Sequence, residues 1–430
     1  MRNLMRRFNR NLLLKVAGYN SVNILLRIGI GGIMSWILAR MIGPNGMAVM
    51  GNLRNFFQGL QSFSVLGLEN GLVSYATQYK EDQKPLLETY GTAWIASLSI
   101  TLLLSVAVFL TAGWLDAYLI GLSTSYAFVF QAMAVAMPFY VLFVLITSLL
   151  QGFEWYKQFI TINIIINLVI FAVSVILIYA YALSGALISI VIAPIFQCGV
   201  GAMLWNRNRP DIKLRSILVF GYHSERLRPL LSYSAMALAS AVLIPITYIA
   251  IRQDVRAVLG DVIAGDWEML QRISGYYMLF VTTLISLYVL PQLSKDFSSR
   301  VYRSTVTHFY KTILPLVALG LVAIYLSREL IVSFLFTEEF VDMIPMFKWQ
   351  LAGDFIKIIT TVLAFRFIAI NDLKRYLIAE VVSLSTFYIA NYFMIRYYGN
   401  NGTVIAYLVS YLCYGIALLL LLRKELFKNS

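Results

Sequence analysis

Long runs without a charged residue alternate with short polar segments along the whole chain. Residues 117–153, 158–206 and 397–422, for example, contain no Asp, Glu, Lys or Arg. About 20 consecutive apolar residues are enough for a helix to cross the hydrocarbon core of a bilayer. The pattern therefore predicts an all-α polytopic membrane protein with twelve transmembrane helices, at residues 16–41, 47–69, 86–113, 126–150, 158–180, 183–204, 230–252, 270–292, 305–327, 345–370, 375–397 and 402–422.

The overall composition excludes a soluble enzyme. Of the 430 residues, 60% are hydrophobic and only 13% are charged, whereas roughly a quarter of an average soluble domain is charged. The two cysteines, Cys198 and Cys413, both lie in apolar runs, which argues against a disulfide framework or a metal cluster. Nearly all of the chain is therefore needed for the predicted helices and the turns between them.

Lys and Arg residues outside the predicted spans lie mostly on one side of the membrane. They occupy the amino terminus, the even-numbered loops and the carboxyl tail. Positively charged loops stay in the cytoplasm, so we expect an inner-membrane protein with both termini cytoplasmic. The net charge of +13 then reflects membrane sidedness, and no nucleic-acid partner is expected.

The longest predicted loop is basic and divides the chain into two halves. We predict an N-terminal six-helix lobe at residues 1–207, a basic cytoplasmic linker at 208–228 and a C-terminal six-helix lobe at 229–430. The non-cytoplasmic loops at about 253–269 and 328–344 are short and net acidic. Neither of them is long enough for a soluble catalytic domain.

Ionisable residues inside the predicted spans carry a surplus of positive charge. A charge at the centre of a bilayer costs roughly 2.5–3.5 kcal/mol, so it needs a partner or water. The surplus predicts a water-filled cavity for an anionic ligand, because guanidinium groups match phosphate oxygens. The cations are Arg27, Arg54, Arg272, Lys357 and Arg366, and the acids are Asp354 and Glu380.

Several of these charges also have a purely structural interpretation. Asp354 and Lys357 are three residues apart on one helix, where they could form an ion pair as readily as a ligand site. Glu380 could face head groups, and a role in ion coupling or charge pairing stays open for Asp354, Glu380 and Arg366. Arginines near span ends can extend to the interface, and three residues fit that description: Arg252, Arg366 and Arg396.

Motifs for catalysis are missing from the sequence. It contains neither a Gly-x-x-x-x-Gly-Lys-Ser/Thr loop nor a His-Glu-x-x-His segment. His223 falls in a predicted cytoplasmic loop and His308 lies at the cytoplasmic end of the predicted span 305–327, and no nucleophile–base set is visible. We therefore expect a transporter that needs no metal or cofactor.

Short segments along nearly the whole chain are similar to those of one transporter family. They are Leu26–Gly29, Ile42–Gly46, Asn52–Arg54, Asn70–Gly71, Tyr75–Tyr79, Val289–Ser294, Trp349–Lys357 and Ala379–Val381. With them, the chain resembles the Wzx-type polysaccharide flippases of the multidrug/oligosaccharidyl-lipid/polysaccharide (MOP) exporter superfamily. The similarity is greatest to the O-antigen and enterobacterial common antigen (lipid III) branch, and the Trp-Gln-Leu-x-Gly-Asp stretch is its most specific part.

The resemblance implies two six-helix lobes around a central cavity. It also implies that an undecaprenyl-diphosphate-linked oligosaccharide passes from the cytoplasmic to the periplasmic leaflet by alternating access. Related lipid-linked sugar flippases use cavity arginines in helices one, two and eight, which fits Arg27, Arg54 and Arg272 by position; we expect Lys357 to assist. Beyond this glycan and membrane lipid, a polysaccharide polymerase and a chain-length regulator are the partners that the resemblance suggests.

Two alternative functions remain at this stage. The first is a multidrug exporter of the same superfamily, which would carry organic cations and should hold uncompensated acids in its cavity. The second is a membrane glycosyltransferase or O-antigen ligase, which would need a catalytic set on a sizeable extracytoplasmic loop. The positive surplus and the short loops favour the flippase over both.

Overall fold

The computed structural model describes residues 2–80, 82–207, 215–216, 221–289, 292–293 and 297–427. Two π-helical segments cover Asp116–Ile120 and Ile285–Val289, and 3-10 helices cover Glu338–Met343 and Gly399–Asn401. In chain order the α-helices are α1 (Arg2–Ser64), α2 (Glu69–Gln78), α3 (Gln83–Leu110), α4 (Ala112–Leu115), α5 (Ala127–Gly152), α6 (Tyr156–Arg207), α7 (Ser224–Leu259), α8 (Asp261–Leu284), α9 (Ser299–Thr312), α10 (Leu314–Leu326), α11 (Arg328–Leu335), α12 (Phe347–Ala369), α13 (Leu373–Tyr398), α14 (Gly402–Leu421) and α15 (Arg423–Phe427).

The predicted fold class is confirmed, since the protein is all-α and polytopic. Among the described residues, seven helical stretches are long and apolar enough to cross a membrane. Three of them, residues 23–78, 156–207 and 373–421, are 49–56 residues long. That is more than twice the roughly 20 residues that one span requires. The count of twelve spans stays a prediction.

Two predicted breaks between spans are kinks inside long helices. Gly43 adopts a φ of 61° within α1, a left-handed conformation that glycine tolerates because it has no Cβ atom. Pro44, which follows it, has no backbone N–H to continue the hydrogen-bond ladder. In α6 the kink lies at Ala182, with a φ of 46°, inside the stretch Tyr179–Gly185 where the sequence predicts a break.

Contacts within the chain divide it into two compact units. The first comprises residues 1–34 and 56–242, and the second comprises residues 35–55 and 243–430. The second unit therefore includes a segment, residues 35–55, that the sequence assigns to the amino-terminal lobe. The predicted lobe boundaries stay a prediction, and the stretches 208–214 and 217–220 of the predicted linker lie outside the described residues.

The core of the first unit packs α2, α3, α5 and α6 together. Its large buried side chains include Leu72, Tyr90, Leu149 and Trp205. The Tyr90 hydroxyl donates a hydrogen bond to the Leu72 carbonyl oxygen at 3.0 Å, which satisfies the polar end of a buried aromatic ring.

The end of the predicted linker also packs within the first unit. Arg226 Nη2 donates to Glu88 Oε2 on α3 at 2.8 Å, and its Nη1 donates to the Tyr79 hydroxyl at 3.1 Å. The His223 backbone N–H donates to Thr92 Oγ1 at 3.0 Å. These bonds hold the start of α7 against the first unit.

The core of the second unit packs α8, α9, α12 and α14. Ile285, Tyr302, Phe309 and Phe367 are fully or almost fully buried in it. The Tyr302 hydroxyl donates to the Leu363 carbonyl oxygen at 3.2 Å. This core joins the carboxyl half of α8 to the helices around α12.

Charged side chains connect the start of α13 to α15. Asp372 caps α13 by accepting a hydrogen bond from the Arg375 backbone N–H at 3.0 Å. Arg375 Nη1 in turn donates to Glu425 Oε1 on α15 at 2.7 Å. Burial alone would raise the pKa of Asp372, but the hydrogen bonds from Arg375 outweigh it and hold that pKa below its ordinary value.

Within the second unit, Gly265 of α8 lies directly against the backbone at Pro44. An added Cβ atom at this glycine would lie 1.8 Å from the Pro44 carbonyl oxygen, and backbone cannot give way as a flexible side chain can. We expect Gly265→Ala to destabilise the protein by at least the 1–3 kcal/mol typical of overpacking, measured as a lower apparent melting temperature in detergent. Gly275→Ala on the same helix meets nothing within 4 Å and should leave that temperature unchanged or slightly higher; equal effects would contradict the close contact.

Candidate functional site

Ionised side chains of the second unit gather around one buried carboxylate, Glu268 of α8. Its Oε1 accepts a hydrogen bond from Arg54 Nη2 at 2.6 Å, and its Oε2 accepts one from Arg252 Nη2 at 2.6 Å. Arg252 Nη1 also donates to Asn52 Oδ1 at 3.0 Å. We call these four residues, together with Arg272, the Glu268 cluster.

Burial differs sharply between the two arginines bound to Glu268. The Arg252 and Glu268 side chains are each 1% exposed, whereas Arg54 is 32% exposed. The Arg252 guanidinium also lies over the Trp267 ring, 5.2 Å from the ring centroid. Removing both charges of a pair from water is costly, so Arg252 depends on these contacts. Arg54 keeps part of its side chain accessible.

Arg272 adds a third guanidinium to the cluster. It interacts electrostatically with Arg54 and Glu268 and forms a hydrogen bond with Tyr276. Within the described part of its unit, Arg272 forms no ion pair with a carboxylate. Three guanidinium groups therefore surround one acid, and the cluster keeps a positive surplus.

Sequence reasoning missed Glu268 and expected Arg252 to extend to the interface, which is wrong because Arg252 is buried. The predicted loop at 253–269 is mostly helical, since α7 continues to Leu259 and α8 begins at Asp261. Gly260, with a φ of 91°, makes the turn between them. Arg252 precedes this glycine by eight residues and Glu268 follows it by eight, a symmetry that could have revealed the pair.

Arg27 lies in the first unit and is exposed. Its side chain makes no hydrogen bond or ion pair with any described residue of that unit. Arg54 and Arg272 belong to the second unit, so the structure brings these two of the three predicted arginines together. The sharing of one site by all three stays a prediction.

Asp354 of α12 is fully buried and accepts hydrogen bonds from neutral groups. Ser274 Oγ donates to its Oδ2 at 2.7 Å and Tyr407 OH to its Oδ1 at 2.8 Å. The Tyr277 hydroxyl also donates to Oδ2, as does Gln350 Nε2 at 3.3 Å. Together these donors satisfy the carboxylate without a cation. The hydroxyl groups of Tyr277 and Tyr407 are both used as donors to Asp354.

Lys357 does not form the intrahelical ion pair with Asp354 that the spacing allowed. In the part of the chain that the structure describes, its ammonium group lies over two aromatic rings, 5.7 Å from the Tyr407 centroid and 5.5 Å from the Tyr411 centroid. Such cation–π contacts stabilise a partly desolvated ammonium. Glu380 is half-buried and interacts with Lys357 only at longer range.

Arg366 is also buried, contrary to the expectation that it extends to the interface. Arg366 is only 5% exposed. Its Nη2 donates to the Phe297 carbonyl oxygen at 2.6 Å. The guanidinium lies over the Tyr302 ring, 5.4 Å from the centroid. Arg396, in contrast, is exposed and lies over Tyr392, 3.8 Å from that ring's centroid.

The fold is shared with transporters of known structure. An inward-facing multidrug resistance MATE family transporter of the MOP superfamily superposes with a TM-score of 0.77 at 14% identity, over 93% of this chain and 94% of that one. The lipid II flippase MurJ, in an inward closed conformation, gives a TM-score of 0.68 at 15% identity, over 95% and 87%. The chain therefore has the fold of these multi-pass membrane proteins.

Sequence comparison identifies the family to which the chain belongs. The profile of the polysaccharide biosynthesis protein family matches residues 13–297, more than half of the chain, and the chain belongs to that family. It is 27% identical over 407 residues to the lipid III flippase of Escherichia coli (strain K12), covering 94% of this chain and 96% of the relative. The lipid III flippase of Shigella flexneri matches equally well. The predicted resemblance to Wzx-type flippases is confirmed.

Proposed function

We propose that this protein is a flippase for a lipid-linked oligosaccharide, most specifically an undecaprenyl-diphosphate-linked repeat unit of O-antigen or common antigen. The single observation that carries the proposal is the positive surplus of the Glu268 cluster, where Arg54, Arg252 and Arg272 surround one carboxylate. A diphosphate is the anionic group that such guanidinium groups bind best. Family membership and the names of its relatives support the same substrate class.

The proposed roles follow from accessibility. Arg54, Arg272 and the exposed Arg27 contact the diphosphate, and Lys357 assists. Arg252 is a positioning residue, because its guanidinium is already occupied by Glu268 and Asn52. Glu268 neutralises only part of the positive charge of the three guanidinium groups. The arginines can therefore bind a phosphate group while their contacts with the protein remain.

The proposed direction of transport is from the cytoplasmic to the periplasmic leaflet of the inner membrane, by alternating access, with both termini cytoplasmic. A membrane potential that is negative inside drives an anion outward by about 2.3 kcal/mol per charge per 100 mV. This electrical driving force requires no ATP, and the sequence carries no ATP-binding loop. Ion coupling through Asp354 or Glu380 is the alternative energy source. Among the described residues, Asp354 accepts hydrogen bonds from neutral donors only, and no cationic side chain pairs with it there.

An organic-cation exporter is the competing function, because MATE transporters share the fold. The charge of the Glu268 cluster argues against it, since an organic cation would be repelled by the surplus of arginine. A sugar-transferring enzyme is the other competitor, and the sequence offers it no nucleophile–base set. Both competitors make direct predictions in assays of drug efflux and of sugar transfer with purified protein.

The test is to delete the gene and to identify the lipid-linked glycan that accumulates on the inner leaflet. We expect an undecaprenyl-diphosphate-linked oligosaccharide to build up, and purified protein in proteoliposomes should move that lipid between leaflets. Normal leaflet distribution in the deletion strain, together with efflux of organic cations by the purified protein, would overturn the proposal. A polysaccharide polymerase and a chain-length regulator, which would act on the exported glycan, are the proposed protein partners.

A further inference from the structure

The first unit contains a polar pocket that the proposed contacts with the diphosphate do not use. It lies where the start of α2, the second half of α5 and the first turns of α6 meet, and its volume is about 230 Å³. Three aromatic side chains and several uncharged polar side chains line it, and Glu69 is its one acid. The residues that carry the argument are Glu69, Asn70, Tyr140, Gln151, Phe159 and Asn163.

The polar side chains of this pocket are held in place and still have hydrogen-bonding capacity. The Tyr140 hydroxyl donates to Glu69 Oε1 at 3.1 Å, which leaves the second carboxylate oxygen for a ligand. Gln151 Nε2 donates to the Thr147 carbonyl oxygen at 3.3 Å, and Asn163 Nδ2 donates to the Phe159 carbonyl oxygen at 2.9 Å. Each amide keeps its own carbonyl oxygen and a second N–H.

The charge of the pocket excludes a phosphate as its ligand. No lysine, arginine or histidine occurs among the described residues that line it, and Glu69 would repel an anion. The pocket instead combines one carboxylate, three side-chain amides and aromatic rings. Amides and a carboxylate bind neighbouring hydroxyl or acetamido groups, and ring faces pack against apolar C–H faces. A sugar residue presents both kinds of surface.

The size and the position of the pocket agree with a subsite for part of a larger ligand. Sites that enclose a whole drug-sized molecule measure about 300–1,000 Å³, so a smaller pocket suits one end of a long substrate. On the predicted topology, the spans 47–69 and 126–150 end here on the cytoplasmic side, where a lipid-linked glycan would be loaded.

We propose that this pocket binds a sugar residue of the transported lipid-linked glycan. This inference rests on the proposed flippase function and adds a glycan subsite to it. Glu69, Asn70, Gln151 and Asn163 hydrogen-bond the hydroxyl or acetamido groups of the sugar, while Phe159 packs against its ring. The headgroup is then recognised twice, as a diphosphate by arginines and as a sugar by the first unit.

The test measures lipid binding to the full-length protein in nanodiscs. The probes are undecaprenyl diphosphate, the same lipid carrying one N-acetylglucosamine, and the same lipid carrying an N-acetylglucosamine-based trisaccharide. The wild type should bind at least one sugar-bearing lipid more tightly than undecaprenyl diphosphate. In Glu69→Gln and Asn163→Ala this advantage should fall by about tenfold, the size expected for one hydrogen bond to a charged or buried group, while binding of undecaprenyl diphosphate stays unchanged.

Ser74→Ala is the matched control, because Ser74 is exposed on α2 and does not line the pocket; it should bind all three lipids like the wild type. A wild type that binds none of the lipids would overturn the flippase function itself. Equal binding of sugar-bearing and bare lipid, or equal weakening of both by Glu69→Gln, would overturn only the glycan subsite. Binding of tetraphenylphosphonium that Glu69→Gln abolishes, with glycan-lipid binding intact, would reassign the pocket to organic cations.

Discussion

Arg27→Ala should reduce flipping in a leaflet-accessibility assay by at least tenfold. Arg27 is exposed and bonds no described residue of its own unit, so the substitution removes a ligand group without breaking an internal contact there. A hydrogen bond to a charged group contributes about 1.5–3 kcal/mol, which corresponds to roughly a 10- to 100-fold change in an equilibrium or a rate. The effect should therefore appear in transport and not in the apparent melting temperature.

Two further variants make the Arg27 result interpretable. Arg27→Lys keeps the positive charge and should retain most of the activity, whereas the exposed Arg396, replaced by alanine, serves as the control for loss of an arginine elsewhere. If Arg27→Ala transports at a near-normal rate, Arg27 has no part in binding the diphosphate.

Glu268→Gln should cause the largest loss of stability of any single charge change in the second unit. The glutamine would leave Arg252, a 1% exposed side chain, without its carboxylate. Removing one partner of a buried ion pair costs about 3–5 kcal/mol, because the remaining charge stays desolvated and unpaired. We expect a clearly lower apparent melting temperature in detergent, monitored by tryptophan fluorescence, to which the adjacent Trp267 contributes.

Glu329→Gln is the matched control, since it breaks an ion pair with Arg328 in which Glu329 is 70% exposed. Exposed pairs contribute about 0–1 kcal/mol, so this variant should melt close to the wild type. Adding Arg252→Met to Glu268→Gln should recover part of the loss, because the uncompensated charge is removed. Equal melting temperatures for Glu268→Gln and Glu329→Gln would contradict the account of the Glu268 cluster.

The sequence predicted the fold class because transfer free energy depends on local composition. A run of apolar residues identifies a membrane span by its own composition, whichever helices pack around it. The kinks at Gly43 and Ala182 fall at or near predicted breaks. Both residues have non-helical backbone angles, so one helix ends and another begins at each kink. Helix ends elsewhere were less predictable. The segment 253–269 was predicted to be a loop because it is polar. A hydropathy pattern cannot show that Arg252 and Glu268 form an ion pair in the folded protein.

The candidate site was also predictable only in part, because several of its contacts arise only when the helices pack together. The positive surplus and the placement of Arg54 and Arg272 could be deduced from charge counts. The neutral donors around Asp354 could not, because hydroxyl and amide side chains such as Ser274 and Gln350 are common in many helices and acquire a role only through tertiary contact. Spacing alone suggested the ion pair with Lys357 that the structure does not form.

The way the chain threads through its two units limits how the protein can be divided. Residues 35–55 belong with residues 243–430 although about 190 residues separate them along the chain. A carboxyl-terminal fragment cut at the basic segment would lack Arg54, the partner of Glu268, and Pro44, the neighbour of Gly265. Such a fragment should be unable to mature by itself, and functional reconstitution from two halves would require both polypeptides to assemble during insertion.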